Sequence, residues 1–114
     1  MSPMPAPVEI PAISVEDLHK LRESGQPHLL LDVREPSEYA ACRIEGSKLL
    51  PLAELPGRFG ELAKDTLLIV HCHHGGRSAQ AVRFLRESGF AQAKNLSGGI
   101  DAWSTEIDPD VPRY

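Results

Sequence analysis

The sequence predicts an α/β protein built around a parallel β-sheet. Short, uninterrupted apolar runs at residues 29–33 and 66–70 are typical of strands that are covered on both faces. One amphipathic helical pattern precedes the first run, and another follows the second run at residues 78–88. Strands that alternate with helices in this way pair in parallel and are joined by right-handed crossovers.

Composition limits the class of protein and of partner. The chain has 114 residues, of which 41% are hydrophobic and 25% charged, so we expect one globular domain with its own core. The formal net charge of −4 argues against a nucleic-acid partner, because such partners select a basic surface. The sequence contains only Cys42 and Cys72, which predicts no disulfide framework.

Both ends of the chain are expected to extend beyond a central domain. The proline-rich start has neither the basic residues nor the apolar segment of a secretory signal. No apolar run approaches the ~20 residues that a membrane span needs. We therefore expect a cytoplasmic protein that makes no membrane contact. Its predicted parts are a Pro-rich arm at residues 1–12, a domain at residues 13–107 and a tail at residues 108–114.

The first half of the chain begins with a capped helix. Ser14 is a candidate N-cap, apolar residues then fall on one face, and Gly25 is placed to end the helix. Residues 29–33 form the first predicted strand. Residues 35–41 form a short predicted helix with Pro36 in its first turn, where proline is favoured.

The remaining elements continue the alternation. The strongest helix prediction has an apolar stripe and ends near Gly89, which suits a left-handed cap. In chain order the predictions are a strand at residues 47–50, a short helix within residues 52–63, a strand at residues 66–70, and then a helix at residues 78–88, a strand at residues 91–96 and a helix at residues 100–107.

A cysteine in a glycine-rich loop is the most informative feature of the chain. Cys72 follows the second apolar strand and precedes Gly75, Gly76 and the helix at residues 78–88. Unpaired N–H groups of such a loop and the helix dipole favour negative charge, so a cysteine there ionises more easily. Asp32 ends the other strong strand, and we expect both side chains at the carboxyl edge of the sheet, where ligands bind. A thiolate in an anion-binding loop is suited to chemistry on sulfur or phosphorus.

Four segments carry a family resemblance. They are DVREPSEY at residues 32–39, IEGS at residues 44–47, CHHGGRS at residues 72–78 and GFAQAKNLSGGIDAW at residues 89–103. In this order and at these spacings, they resemble the rhodanese-like domain family of sulfurtransferases. The resemblance covers the chain from about Ile13 to Trp103.

The resemblance implies a fold and a reaction. The fold would be a central parallel sheet of about five strands flanked by helices. In the implied reaction, the Cys72 thiolate takes sulfur from a small anionic donor such as thiosulfate, becomes a persulfide and passes the sulfur to a thiol or protein acceptor. No cofactor is implied. The implied reaction has a physical basis in the loop, because its N–H groups can stabilise both the thiolate and the anionic persulfide.

The rest of the loop provides the candidate substrate-binding residues. They are His73, His74, Gly75, Gly76, Arg77 and Ser78. Arg77 has two open interpretations: contact with a bound anion, or bracing of the loop against Asp32 or Glu38. Ser78 is interpreted first as a helix N-cap and second as a ligand contact.

Other polar residues are assigned supporting roles. Asp32 and Arg34 are interpreted as a structural pair at the sheet edge, and Arg43 as a further supporting residue. The histidines around Cys72 do not have the spacing of a zinc site, so no metal is predicted. Cys42 is interpreted as a small residue at a turn, with a second thiol that meets Cys72 as the minority alternative.

This chain departs from the family pattern at two places. Many relatives carry Gly-His-Ile-Pro-Gly where residues 42–46 read Cys-Arg-Ile-Glu-Gly. Loops that favour thiosulfate often have Lys or Arg just after the cysteine, whereas His73 and His74 follow Cys72 here. The reaction class is expected to survive both changes, and the physiological donor and acceptor do not follow from the sequence.

Two other functions compete with sulfur transfer. Thiol phosphatases and arsenate reductases of the related fold generally have a loop one residue longer than the four residues between Cys72 and Arg77. A tetrahedral oxyanion needs that wider ring of amides. A non-catalytic interaction module usually lacks the cysteine that is present here. The sequence therefore favours chemistry on sulfur.

Overall fold

The computed structural model describes residues 10–113 and shows one parallel five-stranded sheet. Its strands are β1 (Ala12–Ile13), β2 (Leu29–Asp32), β3 (Lys48–Leu49), β4 (Leu68–His71) and β5 (Ala93–Leu96). They lie in the order β1-β5-β4-β2-β3, and every neighbouring pair is parallel. The predicted α/β class with about five parallel strands is confirmed.

In the described part of the chain, four helices connect these strands and a fifth follows β5. They are α1 (Val15–Ser24), α2 (Pro36–Ala41), α3 (Leu55–Arg58), α4 (Gly76–Glu87) and α5 (Gly99–Glu106), with single 3-10 turns at Leu52–Glu54 and Phe59–Glu61 on either side of α3. The start of α1 follows the prediction, because the Ser14 hydroxyl accepts a hydrogen bond from the Asp17 N–H at 3.1 Å. Its end does too, since Gly25 has a φ of 72° and forms the left-handed cap.

The structure differs from the sequence prediction mainly at two places. Strand β1 was not predicted, because two residues are too short to show an alternating pattern. It forms by pairing Ala12 with Asn95 and Ile13 with Leu96 at the edge of the sheet. Helix α4 begins at Gly76 rather than at residue 78, which changes the role of the residues in the adjoining loop.

Helices cover both faces of the sheet, and the core has two parts. Alternate residues of β4 point to opposite faces, so Leu68 and Val70 join one cluster and Ile69 joins the other. The first cluster packs against α4 through buried residues that include Leu85. The second packs against α1 and α5 through residues that include Trp103. Both strong strands are therefore buried on two sides, as their continuous apolar character predicts.

The terminal segments contact the domain where they are described. Residues 1–9 of the predicted Pro-rich arm lie outside the described residues. Ile10 packs against the first core cluster, and Val111, in the predicted tail, is buried in the second. Among residues 10–113, no helix has the length and apolar character required to cross a membrane.

The register of the two central strands positions the site. Strands β2 and β4 are neighbours, and Asp32 lies opposite His71 at their carboxyl ends. Cys72 is the next residue after β4. The prediction that Asp32 and the cysteine meet at one edge of the sheet is therefore confirmed.

Candidate active site

Cys72 lies at the base of the loop that joins β4 to α4. The residue is only 2% exposed. Its Sγ accepts hydrogen bonds from two backbone N–H groups, that of Gly75 at 3.1 Å and that of Ser78 at 3.4 Å. The Ser78 hydroxyl also lies 3.4 Å from Sγ. The loop therefore curls around the sulfur and directs polar hydrogens towards it.

Gly75 allows this tight curl. Its φ of 121° is strained for other residues, and it lets α4 start at the next position. Gly75 is thus the N-cap, and the prediction that Ser78 is the N-cap is wrong. Ser78 lies in the first turn of α4, where its N–H is one of the groups without a helical partner. The Cys72 sulfur accepts that N–H in place of a capping side chain.

The surroundings of the sulfur favour its ionised form. Burial acts to raise the pKa of Cys72, but hydrogen bonds from the Ser78 hydroxyl and from the backbone N–H groups of Ser78, Gly75 and Arg77 outweigh it. The pKa therefore lies below the ordinary value for a thiol. This direction agrees with the sequence prediction of a thiolate-stabilising loop.

Asn95 is a site residue that the sequence analysis did not identify. It lies on β5, and its Oδ1 accepts a hydrogen bond from the Ser78 hydroxyl at 2.5 Å. Its Nδ2 donates to the Gly75 carbonyl oxygen at 3.2 Å. Asn95 therefore links the end of the cysteine loop and the first turn of α4 to the sheet. In the sequence, the only signal for Asn95 is its position within residues 89–103, one of the four segments that carry the family resemblance.

The N-terminus of α5 holds the loop from the other side. The N–H of Ile100 donates to the Cys72 carbonyl oxygen at 2.9 Å, and the N–H of Asp101 donates to the His73 carbonyl oxygen at 3.0 Å. Gly99, with a φ of 58°, comes so close that a Cβ there would lie 2.3 Å from the Cys72 carbonyl oxygen. Gly99, which lies in the matching segment at residues 89–103, is thus a point of close contact with the active loop.

Arg77 braces the loop. Its Nη1 and Nη2 donate to the Glu38 carboxylate at 2.6 and 2.9 Å. Of the two interpretations left open by the sequence, this contact is the bracing one, and it connects α4 to α2. A bidentate pair of this kind orients the guanidinium as well as neutralising it.

His73 and His74 lie at the rim of the site. Their rings are 4.1 Å apart in an edge-to-face arrangement. The His74 side chain is 72% exposed, and its Nδ1 is 3.8 Å from Asp101 Oδ2. Burial lowers the pKa of His73, and the nearby His74 lowers it further. The ring of His73 is therefore neutral at pH 7, in contrast to the lysine or arginine of more basic loops.

A cluster of buried polar side chains lies behind the loop. Arg34 and Asp32 are fully buried and form an ion pair with a 2.7 Å contact between Nη2 and Oδ2, as the sequence analysis expected. Arg34 also donates to the Cys42 carbonyl oxygen at 2.7 Å. His71 is buried next to them, 3.9 Å from Asp32 Oδ2, and burial lowers its pKa to about 4. Cys42 belongs to the second core cluster, whereas Cys72 belongs to the first.

Two further predicted site residues, like His74, lie on the surface. Gly76 is exposed at the start of α4. Arg43 is also exposed, and its guanidinium stacks 4.7 Å from the centre of the Tyr39 ring rather than contacting a described loop residue. Within residues 10–113, no group of three or more His, Cys, Asp or Glu side chains is arranged to hold a metal ion.

Fold and site together define an α/β protein with a reactive cysteine at the carboxyl edge of a parallel sheet. The family model for the rhodanese-like domain matches residues 14–106, and the chain belongs to that family. The resemblance noted in the sequence is therefore confirmed.

Relatives of known description support this assignment. The chain is 36% identical over 99 residues to a sulfurtransferase of Allochromatium vinosum, covering 87% of this chain and 92% of that protein. It is 38% identical over 109 residues to the adenylyltransferase and sulfurtransferase MOCS3-2 of Zea mays, covering 90% of this chain but only 23% of that protein. A rhodanese-related protein of Thermoplasma volcanium superposes with a TM-score of 0.80 at 35% identity, covering 91% of this chain and 99% of that one.

Proposed function

We propose that this protein is a sulfurtransferase that moves sulfane sulfur from a donor such as thiosulfate to a thiophilic acceptor through a persulfide on Cys72. The proposal is carried by one observation: the backbone N–H groups of Gly75 and Ser78 both donate to the buried Cys72 sulfur. Relatives with sulfurtransferase names, one of them of similar length to this chain, support the same reaction.

The first half-reaction forms the persulfide. The Cys72 thiolate attacks the outer sulfur of thiosulfate, a new S–S bond forms, and the electron pair of the broken S–S bond leaves with sulfite. One thiolate and one dianion become one persulfide anion and one dianion, so charge balances without a proton. The loop N–H groups stabilise the negative charge as it moves from Sγ to the outer sulfur.

The second half-reaction restores the enzyme. A nucleophilic acceptor, such as a thiolate or cyanide, attacks the outer sulfur, and the Cys72 thiolate leaves. A lowered pKa favours this step, because a more acidic thiol is a better leaving group. Both cysteines are free, which fits a reducing compartment such as the cytoplasm.

The geometry of Arg77 favours sulfur over phosphate as the reacting centre. A thiol phosphatase needs its loop arginine to bind a tetrahedral oxyanion, whereas Arg77 is bound to Glu38 at 2.6 Å. The loop between Cys72 and Arg77 is also one residue shorter than the phosphatase pattern. Both features support transfer of a single sulfur atom.

Intact mass spectrometry tests the proposal. Incubation with excess thiosulfate and removal of small molecules is expected to leave an adduct of about 32 Da, the mass of one sulfur atom, which cyanide then removes as thiocyanate. Cys72→Ser is expected to abolish the adduct, and Cys42→Ser serves as the matched control that retains it. Absence of the adduct with thiosulfate, with a mercaptopyruvate-type donor and with glutathione persulfide would overturn the proposal.

A further inference from the structure

The Ser78 hydroxyl has one hydrogen and two neighbours that compete for it. Its Oγ lies 2.5 Å from Asn95 Oδ1 and 3.4 Å from Cys72 Sγ. An amide oxygen only accepts, so the 2.5 Å contact uses the hydroxyl hydrogen. The Ser78 hydroxyl therefore shares its single hydrogen between Asn95 Oδ1 and Cys72 Sγ, and the shorter contact is the one to Asn95. This competition weakens the hydrogen bond from the hydroxyl to the sulfur and reduces its part in lowering the Cys72 pKa.

The Asn95 side chain is held in this orientation. Its Nδ2 donates to the Gly75 carbonyl oxygen at 3.2 Å, and reversing the amide would bring two acceptor oxygens together. Its backbone is also fixed, because β5 pairs with β1 on one side and with β4 on the other. Oδ1 therefore stays directed at Ser78.

We propose that Asn95 is a positioning residue that competes for the Ser78 hydroxyl hydrogen, weakens the hydrogen bond from that hydroxyl to the Cys72 thiolate and so keeps the sulfur a stronger nucleophile. A thiolate with fewer hydrogen bonds is more basic, and nucleophilicity rises with basicity. The catalytic meaning of this role rests on the proposed sulfur transfer. The contacts themselves, and the reactivity of the sulfur towards an alkylating reagent, do not.

Charged and titratable groups near the loop stay unchanged in the test. They are Asp32 on β2 and Arg34 after it, His71 on β4, His73 and His74 in the loop, Arg77 on α4, Glu38 on α2 and Asp101 on α5. Because Asn95→Ala and Ser78→Ala change none of these groups and are compared in the same background, a difference in the pH profile between them reports the hydroxyl.

The test is the rate of iodoacetamide alkylation of Cys72 as a function of pH, in a Cys42→Ser background so that one thiol reacts. Asn95→Ala frees the hydroxyl, so the inflection should fall by about one unit, the effect of one hydrogen bond to a charged group. The rate on the plateau above the inflection should fall about threefold, because the thiolate is less basic. In a Ser78→Ala background, Asn95→Ala should cause neither change.

Other outcomes overturn the role of Asn95. If the alkylation inflection of Asn95→Ala lies at the same pH as in the wild type or at a higher pH, the role is contradicted. It is also contradicted if Asn95→Ala shifts the inflection equally in the Ser78→Ala background. Asn95→Asp is a second variant, which keeps an acceptor on the hydroxyl and adds negative charge, so its inflection should rise. A fall would also contradict the proposal. If the wild-type protein forms no persulfide but shows this alkylation pattern, sulfur transfer is overturned and the role of Asn95 stands.

Discussion

Arg77 and Glu38 lie 39 positions apart in the chain, and they form a two-bond ion pair at the rim of the cysteine loop. The pair joins the first turn of α4 to α2 and neutralises the Arg77 guanidinium beside the cysteine loop. A family loop that is expected to bind an anionic donor thus has its arginine already engaged. We therefore expect the Arg77–Glu38 pair to weaken the binding of a dianionic donor.

Releasing Arg77 should improve the binding of a dianion. Glu38→Gln removes one negative charge but keeps the oxygen that accepts the Glu35 N–H at the start of α2. We expect the KM for thiosulfate to fall about threefold, which is the Coulomb effect of one charge several ångströms away in a wet site. Steady-state rates at low ionic strength measure this. Glu61→Gln, which breaks the exposed pair with Arg58, is the control, and an equal KM in all three proteins would contradict the expectation.

Gly99 should accept no side chain. A Cβ there would lie 2.3 Å from the Cys72 carbonyl oxygen and 2.6 Å from that of His73, and the φ of 58° is itself unfavourable for other residues. Gly99→Ala is expected to destabilise the protein by about 3 kcal/mol and to slow persulfide formation more than tenfold. Urea unfolding and single-turnover rates measure the two effects. Gly57→Ala, which meets open space, should change neither.

His71 should make the fold sensitive to mild acid. Burial lowers its pKa to about 4, whereas the unfolded chain has an ordinary histidine pKa near 6.5. Between these values the unfolded state binds the proton more tightly, so stability is fully present above pH 6.5 and is lost as the pH falls towards 4. The loss from this residue is about 3 kcal/mol.

His71→Phe isolates this contribution. Its free energy of unfolding, measured by urea titration at several pH values, should lose the part of the slope that falls between pH 6.5 and 4. His28→Gln, at a partly exposed site, should retain the wild-type slope. Parallel pH profiles for wild type and His71→Phe would show that the buried histidine is not the sensitive group.

His73 should contribute no positive charge at neutral pH. Burial and the neighbouring His74 lower its pKa, so the ring is neutral at pH 7. His73→Gln should therefore leave the KM for thiosulfate at pH 7 within about twofold, whereas His73→Lys should lower it about threefold through one added charge. The gain in the lysine variant should shrink as salt rises. A large increase of KM in His73→Gln would show that the histidine already acts as a cation.

We expect loop length to be a further determinant of the chemistry. One glycine inserted between Gly75 and Gly76 widens the ring of N–H groups and displaces Ser78 from Cys72 Sγ, to which its N–H now donates at 3.4 Å. Persulfide formation should fall at least tenfold, since one lost oxyanion-hole donor costs that much or more. Weak phosphatase activity towards an aryl phosphate is the expected gain. An insertion variant with wild-type sulfur transfer would show that loop length does not select the reaction.

Much of the fold follows from patterns within a few residues. The Ser14 cap and the Gly25 end define α1, and continuous apolar runs identify β2 and β4, because these signals depend on the local backbone and on burial of both strand faces. The kind of site also follows from neighbouring residues, because Cys72 precedes two glycines and a helix, and that order predicts a thiolate-stabilising loop.

Tertiary structure decided the partners of these residues. Of the two interpretations of Arg77, its contact is the bracing one, with Glu38, 39 positions away. Ser78 was predicted to be an N-cap, but Gly75 caps α4, and the Ser78 hydroxyl bonds to Asn95, 17 positions away. Strand β1 exists only because β5 offers a free edge for it to pair with. Such contacts depend on strand order and register, which bring together side chains that have no periodic relationship in the chain. A local sequence pattern therefore identifies the reactive cysteine, whereas the residues that surround it are determined by the assembled sheet.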